Sequence, residues 1–398
     1  MFNLEMAPAD PILGLNEAFR SDPSAEKINL AVGVYTDDNG ATPIMRVVKK
    51  AEEKLLTTES TKSYLAIPGH AALPVLTQGL VLGDDHPLIG SGRAVTAQCP
   101  GGTGALRVAA DFLNRANASA KVWLSSPTWA NHGAIFKAAG FDTVEYAYYD
   151  TPSQSLDREA FLADLRSIPA GDIVVLHGCC HNPSGVDPDI DTWTEIGQIA
   201  KQQGWVPLVD FAYQGFGNGL AEDRAGLVAL LESDIAAFVC SSFSKNFGLY
   251  NERIGAVTFI GETADEAATA FSHIKVVIRS NYSNPPAHGG SVVAEILGDG
   301  ALRAEWEAEL TTMRQRIFAM REGLAAGLAA RGVARDYSFI KDQKGMFSFA
   351  GITPEQVDRL REKHHVYAVR SGRINVAGIT PSEMDRLCDA LADVLKNG

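Results

Sequence analysis

The stretch Ala236-Ala-Phe-Val-Cys-Ser-Ser-Phe-Ser-Lys245-Asn-Phe-Gly248 joins an apolar run to a turn rich in hydroxyl groups. The run Ala237–Cys240 predicts a buried strand, and the turn that follows it carries a lysine. A lysine that forms a Schiff base needs an enclosed position, because burial lowers its pKa and the neutral amine can then attack. Ser242 and Ser244 offer hydrogen bonds to a phosphate. The alternative is a loop lysine that faces solvent, and this segment alone leaves both open.

A second apolar run ends in an acid. It is Val206-Pro-Leu-Val-Asp210-Phe-Ala-Tyr213, and Asp210 precedes Lys245 by 245 − 210 = 35 residues, enough for one helix and one strand. Open α/β sheets bind ligands at the carboxyl ends of their strands. An aspartate there could keep a pyridine nitrogen protonated, so that the ring draws electrons. The alternative is an aspartate that caps a helix.

Strand and helix patterns alternate around these two segments. The predicted strands are Val122–Ser125, Ile173–Leu176, Val206–Asp210, Ala237–Cys240 and Ala256–Ile260. Helical patterns between them include Ala105–Arg115, Thr192–Gln203 and Asp223–Leu231. Such alternation predicts an α/β fold whose parallel sheet is covered by helices on both faces.

The last third of the chain has a different pattern. Residues 302–331 predict one long helix, and Gly332 suits its end. A short α+β section follows, with patterns at 346–350, 356–362, 366–369 and 374–376 and a final helix. We therefore predict a large domain of residues 43–312 and a smaller α+β domain of residues 1–42 and 313–398, joined by the long helix.

Composition excludes several classes of protein. The 398 residues carry a net charge of −13, which disfavours binding to nucleic acid or to an anionic membrane. The five cysteines are odd in number and two are adjacent, so a disulfide framework is not expected and a cytoplasmic, reducing location is. We predict neither a signal peptide nor a membrane-spanning helix.

Three further segments offer groups for an anion or a ring. Pro100-Gly-Gly-Thr-Gly104 precedes a helix, where backbone amides bind anions, although a tight turn is the plainer interpretation. His177-Gly-Cys-Cys-His-Asn182 contains possible metal ligands, but adjacent cysteines do not easily face one ion, so no metal is predicted; Asn182 could donate to a phenolate oxygen. Arginines suit carboxylates and phosphates, although a surface charge is the common role. The candidates are Arg253, Arg279 and Arg373.

Taken together, these segments resemble the aspartate aminotransferase family, which comprises class I, fold-type I pyridoxal-phosphate enzymes. The resemblance runs from Asp10-Pro-Ile-Leu-Gly-Leu to Val376-Ala-Gly. Its most specific motifs are Pro100-Gly-Gly-Thr-Gly-Ala-Leu-Arg, His177-Gly-Cys-Cys-His-Asn-Pro, Asp210-Phe-Ala-Tyr-Gln-Gly-Phe, Ser244-Lys-Asn-Phe-Gly-Leu-Tyr-Asn-Glu-Arg and Asn281-Tyr-Ser-Asn-Pro-Pro. It implies a mostly parallel seven-stranded sheet, pyridoxal 5′-phosphate as cofactor and a homodimer with shared active sites.

The resemblance also implies roles for single residues. Lys245 would carry the cofactor, Asp210 would bind the pyridine nitrogen, and His132 would support Asp210. Further cofactor contacts would come from Tyr213, Asn182, Gly102, Thr103, Ser242, Ser244, Arg253, Trp129 and, from the neighbouring subunit, Tyr64. Substrate would contact Gly33 and its neighbour Val32, Trp129, Asn182, Arg373 at the α-carboxylate and, from the neighbouring subunit, Arg279 at the side-chain carboxylate.

The activity implied is transamination between L-aspartate and 2-oxoglutarate, with amino and oxo acids as the partners. Thr36 and Ser63 depart from many relatives near positions that separate aspartate-preferring from aromatic-accepting members, whereas Thr103 and Asn284 side with the aspartate group. Arg370 replaces a small residue close to Arg373. The alternatives are an aromatic amino-acid aminotransferase, a non-catalytic binding protein on the same fold and, more remotely, a metal hydrolase.

Overall fold

The computed structural model describes Met6 and residues 13–396. The start of the predicted small domain, including Asp10-Pro-Ile, and the last two residues lie outside the described part. The helices are α1 Leu13–Ser21, α2 Arg46–Thr58, α3 Leu73–Leu82, α4 Gly101–Ala116, α5 Asn131–Ala138, α6 Arg158–Ser167, α7 Ile190–Gln203, α8 Leu220–Leu231, α9 Ala264–Asn281, α10 Ala287–Gly298, α11 Gly300–Ala330, α12 Phe339–Asp342, α13 Pro354–His364 and α14 Met384–Lys396. The strands are β1 Ile28–Asn29, β2 Ala94–Pro100, β3 Val122–Ser126, β4 Thr143–Ala147, β5 Tyr149–Asp150, β6 Ser155–Leu156, β7 Ile173–His177, β8 Val206–Phe211, β9 Ala237–Ser242, β10 Ile254–Ile260, β11 Phe347–Phe349, β12 Val366–Tyr367 and β13 Arg373–Asn375.

The described chain divides into two compact units. The larger unit contains residues 43–182 and 186–314, and the smaller contains the described residues up to Thr42, residues 183–185 and the chain from Gln315 onward. Helix α11 is continuous through the boundary between Arg314 and Gln315.

The larger unit contains a seven-stranded sheet, which is the largest sheet in the described residues. Its strand order is β2-β10-β9-β8-β7-β3-β4. Strands β9, β8, β7, β3 and β4 are parallel neighbours, whereas β10 runs antiparallel to both β2 and β9. The expected mostly parallel α/β sheet is therefore confirmed.

The direction of β10 is the one departure from a fully parallel sheet. Parallel neighbours need a crossover of a dozen or more residues, usually a helix. Only residues 243–253 separate β9 from β10, and they form turns without a helix. The chain therefore reverses, and the strand that we predicted at Ala256–Ile260 returns antiparallel to β9.

The predicted elements of the larger unit are confirmed, with ends that move by a few residues. Strands β7, β9 and β10 are buried along their whole length, as expected when helices cover both faces of a sheet. Helix α4 buries Leu106, Ala109 and Leu113, and these belong to the same core cluster as Phe238 and Val257 of the sheet. The glycine-rich loop and the lysine turn therefore stand on one packed core.

The smaller unit contains two short sheets with helices. Strand β1 pairs with β12 in parallel, and β11 pairs with β13 antiparallel, with Phe347 opposite Asn375 and Phe349 opposite Arg373. These elements confirm the predicted α+β pattern of the C-terminal section. Within the described residues, no helix combines the length and the hydropathy that a bilayer crossing requires.

Candidate active site

The chemistry-bearing segments of the larger unit leave the sheet at one edge. The register places His177 opposite Asp210, and Asp210 opposite Cys240, so β7, β8 and β9 end together. Pro100 at the end of β2 lies opposite Ile254 at the start of β10, and β2 is parallel to β9 because each is antiparallel to β10. Ligands of open α/β sheets bind at this edge.

Lys245 is half-buried and lies over an aromatic ring. Its Nζ lies 4.7 Å from the centre of the Tyr213 ring. Burial lowers the pKa of Lys245 to about 8 and the charge of Arg253 adds to this effect, while the carboxylate of Asp210 opposes it. A useful fraction of the amine is therefore neutral and nucleophilic near neutral pH.

The main chain next to Lys245 is fixed by a buried tryptophan. Trp306 Nε1 donates to the carbonyl oxygen of Asn246 at 2.7 Å, and its ring stacks on Phe247 with centres 4.4 Å apart. Trp306 and Phe247 are fully buried. The two residues that follow the lysine thus have a single packed arrangement.

Asp210 is a buried carboxylate that keeps its charge. Burial alone raises its pKa, but the hydrogen bond from His132 and the positive charges of neighbouring groups outweigh this effect, so the pKa of Asp210 lies below its ordinary value. His132 Nε2 lies 3.0 Å from Asp210 Oδ2 and is itself fully buried. Asp210 therefore offers a negative charge at the edge where the lysine amine lies.

A chain of hydrogen bonds extends behind His132. Thr128 Oγ1 lies 2.8 Å from His132 Nδ1 and 3.0 Å from His177 Nε2, and the backbone amide of Asn182 donates to His177 Nδ1 at 3.4 Å. Burial and the charge of neighbouring histidines hold the pKa of His177 well below its ordinary value, so its ring is neutral. Because Nδ1 of His177 accepts a bond, Nε2 carries the proton and donates to Thr128. The threonine hydroxyl then donates to His132, whose own proton points to Asp210.

Two predicted cofactor residues lie together beside this chain. Asn182 Nδ2 donates to the hydroxyl oxygen of Tyr213 at 3.4 Å, and both side chains are buried. Trp129 is half-buried, and its ring meets His132 edge-on with centres 5.2 Å apart. These groups suit a flat ring that bears a phenolic oxygen.

The start of α4 forms a candidate anion site with β9 and the segment before β10. The N-cap residue Pro100 makes no capping side-chain bond. The backbone amides of the first turn, which includes Gly102 and Thr103, can therefore donate to an anion. Gly101 has φ +77°, and a Cβ on it would lie 2.4 Å from Nη2 of Arg253. A Cβ on Gly102 would lie 3.0 Å from Cβ of Ser242.

Arg253 completes this site from the other side. Its Nη1 donates to Ser244 Oγ at 3.2 Å. The backbone of Arg253 has φ +54°, which is unusual for a residue other than glycine. Backbone amides, two serine hydroxyls and a guanidinium make a donor set for a phosphate group. The amine, the carboxylate and this donor set together fit a phosphorylated pyridine aldehyde, which is the expected cofactor.

The smaller unit contains the predicted α-carboxylate ligand. Arg373 opens β13, is only 5% exposed, and donates from Nη2 to the carbonyl oxygen of Ala31 at 2.6 Å. Its guanidinium carbon lies 4.3 Å from the centre of the Phe347 ring. Gly33 lies against the same ring, because a Cβ on it would be 2.8 Å from Cζ of Phe347. Arg370 instead donates to Asp358 at the surface, at 3.1 Å.

Two predicted site residues lie outside these clusters in the single chain. Tyr64 is 90% exposed, in a loop, and Arg279 is exposed in the last turn of α9, where it donates to Ser283. Exposed positions are what a role in a neighbouring subunit requires, and the single chain does not test that role.

The adjacent cysteines lie near a carboxylate but offer poor metal ligands. Cys179, Cys180 and Asp223 place one ligand atom each within 4.8 Å of one another. The carboxylate of Asp223, however, already accepts backbone amides from Gly215 and residues 217–219 on its two oxygens. Burial also raises the pKa of Cys179 well above the ordinary value of a thiol.

Sequence reasoning missed Thr128, although it connects two histidines of the site. Its position after a predicted strand end, directly before Trp129, was the available signal. It also missed the contacts of His181. The His181 ring stacks on Tyr148 with centres 4.0 Å apart, and its Nε2 lies 2.9 Å from Ser125 Oγ. Both histidines of the suspected metal motif are therefore engaged in packing and hydrogen bonds.

The chain is similar to known proteins along almost its whole length. Residues 25–391 match the family model of aminotransferase class I and II. The aspartate aminotransferase of Escherichia coli strain K12 is 54% identical over 393 residues, which cover 99% of each chain. The aromatic-amino-acid aminotransferase of Pseudomonas aeruginosa is 46% identical and covers 97% of each chain.

Solved structures agree with the sequence comparisons. The aromatic-amino-acid aminotransferase of Burkholderia pseudomallei, solved with covalently bound pyridoxal phosphate, superposes with a TM-score of 0.96 at 49% identity and covers 99% of this chain and 98% of its own. The family match, the identities and this superposition all extend over the two units and the strand-edge site. The chain is therefore a member of the class I and II aminotransferase family.

Proposed function

We propose that this chain is an aspartate transaminase, which moves the amino group of L-aspartate to 2-oxoglutarate and yields oxaloacetate and L-glutamate. The observation that carries the proposal is the pairing of a half-buried lysine of lowered pKa with a buried, charged aspartate at one sheet edge. The relative from Escherichia coli, an aspartate aminotransferase, supports the choice of substrate.

Pyridoxal 5′-phosphate is the cofactor that the site fits. Its phosphate would be held by Gly102, Thr103, Ser242, Ser244 and Arg253, and by Tyr64 of the partner subunit. Trp129 would lie on its ring, Asn182 and Tyr213 would bind its phenolic oxygen, and Asp210, oriented by His132, would bind its ring nitrogen. When bound, the cofactor withdraws electrons from the substrate's Cα and so lowers the barrier to loss of the Cα proton.

The residues of the chain bind, orient and move that proton. Nζ of Lys245 would hold the cofactor in the resting enzyme and would act as the base that takes the Cα proton and later returns one. Asp210 stays ionised because His132 and the groups behind it donate toward it, so a positive ring nitrogen is favoured throughout. The hydroxyl of Tyr213 and the amide of Asn182 balance charge at the phenolic oxygen.

Substrate orientation depends on two arginines. Arg373 would bind the α-carboxylate bidentately, with help from Asn182, and Gly33 would lie in the segment that covers the substrate, beside Val32. Arg279 of the partner subunit would bind the side-chain carboxylate. Two fixed carboxylates hold the Cα–H bond in the direction from which Lys245 approaches.

A homodimer follows from the same roles. Leu56, Val75 and Val276 are large apolar side chains that are more than half exposed in the single chain, and Tyr64 is 90% exposed. We propose that a second copy of the chain covers these residues.

The working domains would be a large domain of residues 43–312 and a smaller domain of residues 1–42 with 313–398. The partners would be amino and oxo acids rather than nucleic acid or a membrane. All five cysteines lie in the described residues, are buried and form no disulfide, which suits a cytoplasmic location.

An aromatic amino-acid aminotransferase is the second candidate. Arg279 is exposed in the last turn of α9 and hydrogen-bonds to Ser283 of the following segment, so its side chain can leave without unpacking a core. If it swings away, an aromatic ring can occupy the space of the side-chain carboxylate. The relative from Pseudomonas aeruginosa, named for aromatic amino acids, favours this possibility.

A visible spectrum of the purified protein tests the proposal. The expected result is a yellow band from cofactor bonded to lysine, which bleaches when aspartate is added alone. The control is Lys245→Ala, in which the band should be shifted because the cofactor has no lysine bond. A band that bleaches with phenylalanine but not with aspartate would move the assignment to the second candidate, and absence of any band after addition of pyridoxal phosphate would overturn both.

A further inference from the structure

Arg321, on the part of α11 that belongs to the smaller unit, is almost completely buried. Only 2% of its surface is exposed. Its Nη1 donates to the carbonyl oxygen of Ile340 at 3.2 Å, and its Nη2 donates to those of Gly345 at 2.7 Å and Phe347 at 2.6 Å. Burying a guanidinium is costly unless it is hydrogen-bonded. Its place therefore depends on these carbonyl groups, and theirs depends on it.

Arg321 occupies the edge of β11 where a further strand would pair. The carbonyls of Phe347, in β11, and of Gly345, in the bend before it, both accept from Nη2 of Arg321, so they face one side. The carbonyl of Met346 accepts the amide of Ala377, on the side of β13. The guanidinium binds both carbonyls of the opposite side, and so fixes residues 345–347 from the edge that β13 does not reach.

The segment that Arg321 fixes carries the aromatic ring beside Arg373. The Phe347 ring is buried, with the guanidinium of Arg373 4.3 Å from its centre and Gly33 against its Cζ. A desolvated cation above an aromatic face is an attractive and directional contact. The plane and height of the Arg373 guanidinium therefore follow the position of the Phe347 ring.

We propose that Arg321 is a positioning residue for carboxylate binding. It holds the main chain at Gly345 and Phe347, this holds the Phe347 ring, and the ring sets the guanidinium of Arg373 in the orientation that accepts a carboxylate. Arg321 itself does not touch the substrate. The inference rests on the proposed role of Arg373, but it concerns affinity for carboxylates rather than the chemical step.

The test compares the holoenzyme with Arg321→Lys, Arg321→Met and the matched control Arg331→Met. Arg331 directly follows the last residue of α11 and bonds Asp389 and Asp385, which are exposed. We measure kcat and KM for aspartate and 2-oxoglutarate, and the Kd of succinate as a dicarboxylate probe. For Arg321→Met we expect KM and the succinate Kd to rise about tenfold, or about 1.4 kcal/mol, with kcat within about twofold of wild type. Arg321→Lys should be intermediate, and Arg331→Met should match wild type.

A double-mutant cycle with Phe347→Leu separates positioning from general weakening of the fold. Because both residues act through one ring, their effects on the succinate Kd should be clearly less than additive. Unchanged KM and Kd in folded Arg321 variants, or additive effects in the cycle, would overturn the proposal. If Arg321→Met does not fold, Arg321→Lys carries the same comparison. Failure of the proposed function would differ, because wild type itself would then not turn over aspartate.

Discussion

Nε2 of His132 lies 3.0 Å from Oδ2 of Asp210, and both side chains are buried. The proton on Nε2 of His132 points toward the carboxylate because the hydrogen bonds behind it run in the same direction. His177 donates to Thr128, and Thr128 donates to Nδ1 of His132. Asp210 thus accepts a hydrogen bond without receiving the proton, and its charge is preserved in a buried place.

Asp210→Asn should keep the shape of the site and remove its charge. The amide oxygen can still accept the His132 proton, but it cannot stabilise a positive ring nitrogen. We expect kcat to fall by about 10² to 10⁴, with cofactor still bound, as measured by steady-state turnover of aspartate and by the visible spectrum. His132→Asn is the matched control and should lose less, because the carboxylate remains. Turnover of Asp210→Asn within about tenfold of wild type would contradict the role given to this charge.

The pKa of Lys245 predicts how cofactor attachment depends on pH. The amine attacks only when neutral, and its pKa is lowered to about 8 from the ordinary 10.5. Below that value the neutral fraction falls about tenfold for each pH unit, so the rate of covalent attachment to the cofactor-free protein should rise with pH and level off above about pH 8. Stopped-flow absorbance measures this rate. A rate that keeps rising to pH 10 would mean that burial does not lower the pKa of the lysine as described.

Mixed dimers test whether Arg279 acts across subunits. Lys245→Ala and Arg279→Leu should each be nearly inactive toward aspartate on its own. In a hybrid, the site that keeps Lys245 receives an intact Arg279 from the other subunit, while the second site lacks both. Random mixing makes half of the dimers hybrid with one good site of two, so activity should return to about a quarter of wild type. No recovery after dissociation and reassociation would show that Arg279 serves its own chain.

Trp306 should contribute strongly to stability, since it is fully buried and bonds to the segment that carries Lys245. We expect Trp306→Ala to lower the free energy of unfolding by about 3 to 5 kcal/mol. Trp306→Phe keeps a ring against Phe247 and should lose much less. Urea unfolding of the larger unit, followed by circular dichroism, measures both variants. Equal losses would mean that the hydrogen bond to Asn246, rather than ring packing, dominates.

Much of the larger unit was predictable because buried parallel strands leave a plain signal. Apolar runs that end in Asp210 or before Lys245 gave both the strands and the edge at which the site lies. The direction of β10 needed a further step, since only the length of the connection from β9 reveals the reversal. The hydrogen bonds of Thr128 could not be predicted, because they depend on the distance between two loops that are 49 residues apart in sequence.

The smaller unit was harder to interpret from sequence. Nothing in the residues around Arg321 distinguishes it from Arg303, Arg314 and Arg316, the half-buried arginines of the same helix. Its burial follows from the local fold, because none of the described strands pairs with the edge of β11 opposite β13 and the guanidinium donates there instead. Tyr64 and Arg279 raise a different difficulty, since a single chain contains only half of the contacts that would test them.

The close approach of Gly101 to Arg253 bears on how this protein can evolve. An anchor that includes main-chain amides, at a position where a Cβ would lie 2.4 Å from the guanidinium, tolerates almost no substitution at Gly101. Substitutions are then tolerated mainly at the peripheral residues that face the variable part of the substrate. A lineage can therefore change which amino acids it accepts as substrates while the inherited cofactor site stays unchanged.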